Sequence, residues 1–98
     1  DTSLLETMGA IELCRRYGKD NVFYPNVDKE IDFLVPDATL AVQASYSIRE
    51  QSTKDREIPP LVKYSKSHPD WQCFLISYDE ETTEDGINVI PVWKWLLS

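Results

Sequence analysis

The segment that most constrains the fold is almost continuously apolar, reading Cys-Phe-Leu-Ile from Cys73 to Ile76 within Gln72–Tyr78. An apolar run of this length is typical of a strand that is buried on both faces. Such a strand lies inside a sheet, because only there do other layers cover both of its sides. The segment therefore predicts a central strand in an α/β domain.

A helix is predicted over residues Ser3–Tyr17. Its expected buried stripe repeats at spacings of three and four residues and consists of Leu4, Met8, Ile11 and Cys14. Ser3 or Thr2 is the expected cap at the start, and Gly18 stands where helices commonly end.

Two strands and a turn are predicted next. Apolar residues at alternate positions in Lys29–Val35 indicate the first strand, a turn follows at Pro36-Asp37, and Thr39–Tyr46 reads as the returning strand. This pattern predicts an antiparallel hairpin, and Val22–Tyr24 is a third, short candidate strand.

A second helical segment is expected between Ser47 and His68. Pro59 and Pro60 interrupt it, so that either the helix is kinked there or a new helix begins with Pro60 in its first turn.

The part of the chain after the central strand is expected to begin with an acidic loop over Asp79–Asp85. A short strand over Ile87–Ile90 and a terminal helical turn over Pro91–Leu97 are predicted to follow. We expect Trp93, Trp95 and Leu96 in that turn to dock on the body of the domain.

The predicted order is helix, antiparallel strand meander, helix and buried strand, in a single α/β (α+β) domain over residues 1–98. This is the order of the restriction-endonuclease-like core, and another α+β sandwich is the alternative. The chain opens on Asp1 rather than Met, from which we expect it to be part of a longer protein.

Composition restricts the expected partners and compartment. Seventeen acidic residues against ten basic ones give a net charge of −7, which disfavours unaided binding to nucleic acid or to an anionic membrane surface. Cys14 and Cys73 match no zinc or redox spacing and are expected to be reduced and buried in the core. We therefore expect a cytoplasmic protein with no membrane partner.

The strongest candidates for a functional site lie on the predicted hairpin. Glu30 and Asp32 on its first strand and Gln43 and Ser45 on its second are expected to share one sheet face. With an even number of residues in the turn, Glu30 is expected opposite Gln43 and Asp32 diagonal to it.

Metal-dependent nucleases of this fold combine an Asp on one strand with Glu/Asp-x-Lys on the next, and a glutamate of the first helix joins them in some cases. Glu30 and Asp32 are accordingly candidate magnesium ligands, with Glu6 or Glu12 from the helix. Gln43 and Ser45 occupy the positions of the second-strand carboxylate and the lysine, however, and a neutral amide is a weak ligand for Mg²⁺. These five site candidates (Glu12, Glu30, Asp32, Gln43 and Ser45) are therefore expected to be vestigial, with weak Mg²⁺ binding at most.

Three further features are expected to be structural. His68 has no partner nearby in the sequence and is expected in a surface loop, and the acids of Asp79–Asp85 lack the order of a calcium loop. The basic residues of the second helix are expected on a solvated face, with phosphate contact as the alternative; they are Lys54, Arg56, Lys63 and Lys66.

Several segments, taken in order, resemble one prokaryotic family, and the opening helix is similar to that family as well. The segments are Glu30–Val35 (EIDFLV), Leu40–Ser47 (LAVQASYS), Thr53–Ile58 (TKDREI), Leu75–Asp79 (LISYD) and Ile90–Leu97 (IPVWKWLL). The family is the domain of unknown function at the C-terminus of bacterial and archaeal AAA+-type ATPases.

The resemblance implies a restriction-endonuclease-like core, related to the PD-(D/E)XK nucleases, that follows an ATP-binding domain. The family's recurring Glu-x-Asp pair matches Glu30 and Asp32, and its Gln-Val-x-Tyr strand matches Gln43–Tyr46 with Ala44 in the Val position. The resemblance then implies that the absence of a lysine at the position of Ser45 is common to the family. No phosphate-binding Gly-Lys-Ser/Thr loop occurs here, so ATP and its Mg²⁺ are expected in an upstream domain.

Three functions follow from these observations. The first is a non-catalytic, nuclease-like module for recognition or assembly beside the ATPase domain, with a protein or nucleic-acid partner and no cofactor of its own. The second is a Mg²⁺-dependent nuclease that uses Glu30 and Asp32, with a lysine supplied by Lys29 or Lys54. The third is a protein-interaction domain unrelated to nucleic acid.

Overall fold

Three α-helices and five β-strands make up the fold in the computed structural model, which describes residues 1–25 and 30–98. In chain order they are α1 (Thr2–Tyr17), β1 (Phe33–Val35), β2 (Leu40–Ala44), α2 (Gln51–Ser67), β3 (Gln72–Ser77), β4 (Thr82–Glu84), β5 (Ile87–Pro91) and α3 (Val92–Leu97). Short 3₁₀ turns occupy Lys19–Asn21 and Pro36–Ala38. No helix of the described part is long and apolar enough to cross a membrane.

The five strands form one mixed sheet in the spatial order β1-β2-β3-β5-β4. β1 pairs with β2 antiparallel, β2 with β3 and β3 with β5 parallel, and β4 with β5 antiparallel. The predicted hairpin and the predicted central strand are both confirmed. Phe23 adds a single antiparallel bridge to Leu34, which is all that forms of the predicted strand over Val22–Tyr24.

Helices cover both faces of the sheet, which confirms the α/β class. α1 and α3 pack on one face, where Leu5, Leu13, Val92 and Trp95 join Val42 and Ile76 in one hydrophobic cluster. α2 packs on the other face, where Ile58 and Leu61 join Ala41 and Leu75 in a second cluster. The alternating residues of β2 and β3 therefore face two separate cores, as the continuous apolar run of β3 requires.

The face of α1 that packs on the sheet differs from the predicted stripe. Leu4 and Ile11 are 59% and 65% exposed, whereas Leu5, Gly9 and Leu13 are buried. At Gly9 the helix comes so close to the sheet that a Cβ atom would lie 3.2 Å from the side chains of Phe33 and Ile76. The predicted stripe was therefore wrong for Leu4 and Ile11, whereas Met8 and Cys14 pack against the core as expected. A glycine at the centre of the contact has no side chain, so an apolar pattern cannot reveal it.

The cap of α1 also differs from the prediction. The Asp1 carboxylate, rather than Ser3 or Thr2, accepts the Leu4 N–H at 2.9 Å. The Thr2 hydroxyl instead accepts the Tyr46 N–H at 3.0 Å and so joins the helix to the end of β2.

α2 is a single helix that contains both Pro59 and Pro60, which answers the question left open by the sequence. The predicted acidic loop was partly wrong, because it contains β4. A two-residue turn with positive φ at Asp85 (52°) and Gly86 (83°) folds β4 back on β5, and this Asp-Gly pair is a local hairpin signal that the sequence interpretation missed.

The C-terminal turn docks through one side only. Trp95 is 4% exposed and Leu96 packs beside it, but Trp93 is 57% exposed, so the expectation that all three dock was wrong for Trp93. In a helix, residues three and four apart share a face, so Val92, Trp95 and Leu96 point to the core together and Trp93 cannot. The two free cysteines, Cys14 and Cys73, are half-buried rather than buried.

Candidate functional site

The chain enters β1 through a set of hydrogen bonds that involve Asp32. Its carboxylate Oδ2 accepts the Ala44 N–H at 2.8 Å, and its own N–H donates to the Gln43 side-chain oxygen at 2.8 Å. Because Phe33 pairs with Val42, extending the register by one residue places Asp32 level with Gln43. The expected pairing of Glu30 with Gln43 was therefore wrong by two residues.

Gln43 is 2% exposed and uses both ends of its amide. Besides accepting from Asp32, it donates through Nε2 to the Glu30 carbonyl at 2.6 Å. The same nitrogen lies 3.3 Å from both the main-chain carbonyl and a carboxylate oxygen of Glu57 on α2. Gln43 thus ties the segment before β1 to α2, and we call this arrangement the Gln43 clasp.

Three carboxyl groups from three different elements influence one another around the clasp. Burial raises the pKa of Glu6 on α1, and the negative charges of Asp32 and Glu57 raise it further. Burial likewise raises the pKa of Glu57, with the hydrogen bond from Arg56 acting in the opposite direction and Asp32 adding to the rise. The pKa of Asp32 is raised by burial and partly lowered by the Ala44 N–H.

Glu57 is the site residue that the sequence interpretation missed, and Glu6, one of two helix candidates, is the one that joins Asp32. Gln43 and Glu57 are 14 residues apart, and no periodicity of either element reports how α2 is rotated against β2. Glu6, Asp32 and neighbours including Thr7 and Tyr24 line an open cleft of about 380 Å³.

Glu12 does not belong to this group, contrary to the expectation that listed it among the site residues. It is buried and accepts hydrogen bonds from Arg15 at 2.6 Å and Arg16 at 2.6 Å, which lower its pKa to about 2. Arg16 in turn donates to the Trp95 carbonyl at 2.7 Å, and its guanidinium lies 5.0 Å from the centre of the Trp95 ring. Glu12 therefore stabilises the attachment of α3 to α1.

The other two predicted residues, Glu30 and Ser45, make no side-chain contact with the carboxyl groups in the described structure. Glu30 is exposed and contributes its main-chain carbonyl to the clasp. Ser45 is buried, and its hydroxyl donates to the Ser47 carbonyl at 3.0 Å, which supports the turn after β2.

The donor set does not fit a magnesium site of the nuclease type. Mg²⁺ requires near-octahedral oxygen ligands, mostly carboxylates and water. Oδ2 of Asp32 and the side-chain oxygen of Gln43 each already accept a main-chain N–H. Within residues 1–25 and 30–98, no three His, Cys, Asp or Glu side chains are placed to hold a metal ion.

The charged features of the rest of the chain make structural contacts. In the acidic segment, the Glu80 carboxylate accepts the Ile48 N–H at 2.8 Å, and Glu84 pairs with Lys54 at 3.2 Å. His68 lies in the loop that follows α2, as expected, but it is half-buried rather than on the surface and stacks on Tyr64 with ring centroids 3.9 Å apart.

Comparisons with protein-family models, with curated proteins and with solved structures found no match for this chain. The function proposed below therefore depends on the geometry of the site and on the resemblance described for the sequence.

Proposed function

We propose that this chain is a nuclease-derived module that does not cut nucleic acid and serves recognition or assembly beside an upstream ATP-binding domain in the cytoplasm. The observation that carries the proposal is the Gln43 clasp. In a nuclease of this type the equivalent strand position supplies a carboxylate to a metal ion. Here it supplies an amide that holds the Asp32 N–H and the Glu30 carbonyl.

The second candidate is a Mg²⁺-dependent nuclease that uses Asp32 and Glu30, and the proximity of Glu6 and Glu57 to Asp32 is the observation that favours it. This candidate also needs a lysine beside the carboxylates, for which Lys29 and Lys54 were the expected sources. Lys54 pairs with Glu84 of β4 at 3.2 Å, and Lys29 lies outside the described residues.

A cleavage assay distinguishes the two candidates. The chain is incubated with single-stranded, duplex and branched DNA and RNA in Mg²⁺ or Mn²⁺, beside Asp32→Ala and Asp32→Asn variants. We expect no cleavage by any of the three proteins and weak metal binding at most by calorimetry. Cleavage by the parent chain that disappears in both variants would overturn the proposal and establish the nuclease.

A further inference from the structure

The outward sides of α1 and α3 carry four large apolar side chains, which together we call the apolar face. They are Leu4, Ile11, Trp93 and Leu97, with exposed fractions of 59%, 65%, 57% and 81%. Leu4 and Ile11 are two helical turns apart on one side of α1, and Trp93 and Leu97 are one turn apart on one side of α3. The two helices lie in the same layer, against the same face of the sheet.

The two helices are joined at their C-terminal ends, so the four side chains belong to one surface. Arg16 of α1 donates to the main-chain carbonyls of Trp95 at 2.7 Å and Ser98 at 3.3 Å. At the other end of α1, Thr2 contacts the Tyr46 N–H, and Tyr46 stacks on Tyr78 with ring centroids 4.9 Å apart. The exposed faces of these two tyrosines extend the apolar surface toward the carboxyl ends of β2 and β3.

The extent of this surface suits a protein interface. The four side chains expose on the order of 500 Å² of mostly apolar area, which is near the upper end for a patch on a monomer. A standard interface buries about 800 Å² on each partner, with an apolar centre and a polar rim. The apolar face, the exposed parts of Tyr46 and Tyr78 and the neighbouring charged residues together reach this interface area.

Charge indicates which partner fits. The chain has a net charge of −7, but two of the acids beside the apolar face are neutralised by their neighbours. Glu12 binds Arg15 and Arg16, and Lys94 pairs with Glu81. A basic partner would be drawn to the acidic remainder of the surface, whereas two copies of this acidic chain can approach most closely where neither carries an excess of negative charge.

We propose that the apolar face binds a second copy of this chain and forms a two-fold symmetric dimer, in which each face is buried against its equivalent. This inference is independent of the nuclease question, because no residue of the Gln43 clasp takes part in it. Trp93 is the expected anchor, since exposed tryptophans are the side chains most enriched among residues that dominate binding energy.

Sedimentation velocity on the 98-residue chain tests the proposal between about 1 and 500 µM, a range that includes weak interfaces. We expect a species of twice the 11.3 kDa chain mass to grow with concentration. Raising the salt concentration should strengthen the dimer, because it screens the repulsion between two acidic chains.

Three variants identify the surface. Trp93→Lys and Ile11→Lys, on different helices of the apolar face, should each weaken the dimer at least about tenfold. Phe23→Lys is the matched control, since Phe23 is 52% exposed but lies at the β1 edge of the sheet, and it should leave the dimer unchanged. Circular dichroism confirms that each variant is folded. A monomer at every concentration, or a dimer that only the Phe23 variant weakens, would refute the proposal.

Discussion

Replacement of Gln43 is the sharpest test of the site. In Gln43→Leu the side chain keeps a similar volume but loses every hydrogen bond of the clasp. The Asp32 N–H and the Glu30 carbonyl are then left without their partner, and each such group costs about 1–3 kcal/mol where water cannot replace it. We expect a total loss of about 2–6 kcal/mol in the free energy of unfolding, a large part of the 5–15 kcal/mol typical of a domain.

Gln43→Glu separates the role of the amide donor from that of the acceptor. The new carboxylate can still accept the Asp32 N–H, but it replaces the Nε2 donor that lies 3.3 Å from a Glu57 carboxylate oxygen. At pH 7 we expect a destabilisation of similar size from repulsion between the two acids. As the pH falls toward 4 and these carboxyls protonate, the loss in Gln43→Glu should shrink, whereas the loss in Gln43→Leu should not.

Urea unfolding of both variants at pH 7 and pH 4 measures these differences, and Gln51→Leu serves as the control. Gln51 is exposed and its amide donates to Asp55 one turn along the same helix, so the same chemical change there should alter stability by less than about 0.5 kcal/mol. If Gln43→Leu is as stable as the parent chain, or if Gln43→Glu is more stable at pH 7, the amide does not hold the site together and our account of it is wrong.

Three further outcomes are expected in urea unfolding. Trp95→Ala should cost about 3–5 kcal/mol, against less than about 0.5 kcal/mol for the exposed Trp93→Ala; equal costs would mean that α3 does not dock as described. Glu57→Gln should stabilise the chain at pH 7, because a carboxyl with a raised folded-state pKa opposes folding once it is ionised, and the gain should vanish below about pH 4.5; a gain that persists at low pH would contradict this. Glu12→Gln should destabilise the chain at pH 7, and the difference should disappear as the pH falls from 4.5 to about 2, the range over which the lowered pKa of Glu12 acts; a constant difference would point to packing instead.

Local pattern was sufficient to predict the three helices and four of the five strands, whereas β4 was missed. The apolar run at Cys73–Ile76 predicted β3 as a strand covered on both faces, and the alternation on either side of Pro36 predicted the β1–β2 hairpin. The alternation in the hairpin reflects the two-residue period of side chains along a strand, and helices have a corresponding period of 3.6 residues. Both periods depend only on backbone geometry. For the same reason the helical spans of α1 and α2 were predicted to within a few residues.

The composition of the site was decided by tertiary structure. The choice between two helical stripes of α1 depended on Gly9, which lets the helix approach Phe33 and Ile76, and that choice placed Glu6 near Asp32. The contact between Gln43 and Glu57 depended on how α2 is rotated over the sheet. Periodicity describes each element relative to its own axis, whereas a site formed by three elements depends on their rotation and translation against one another, which only packing of the whole domain determines.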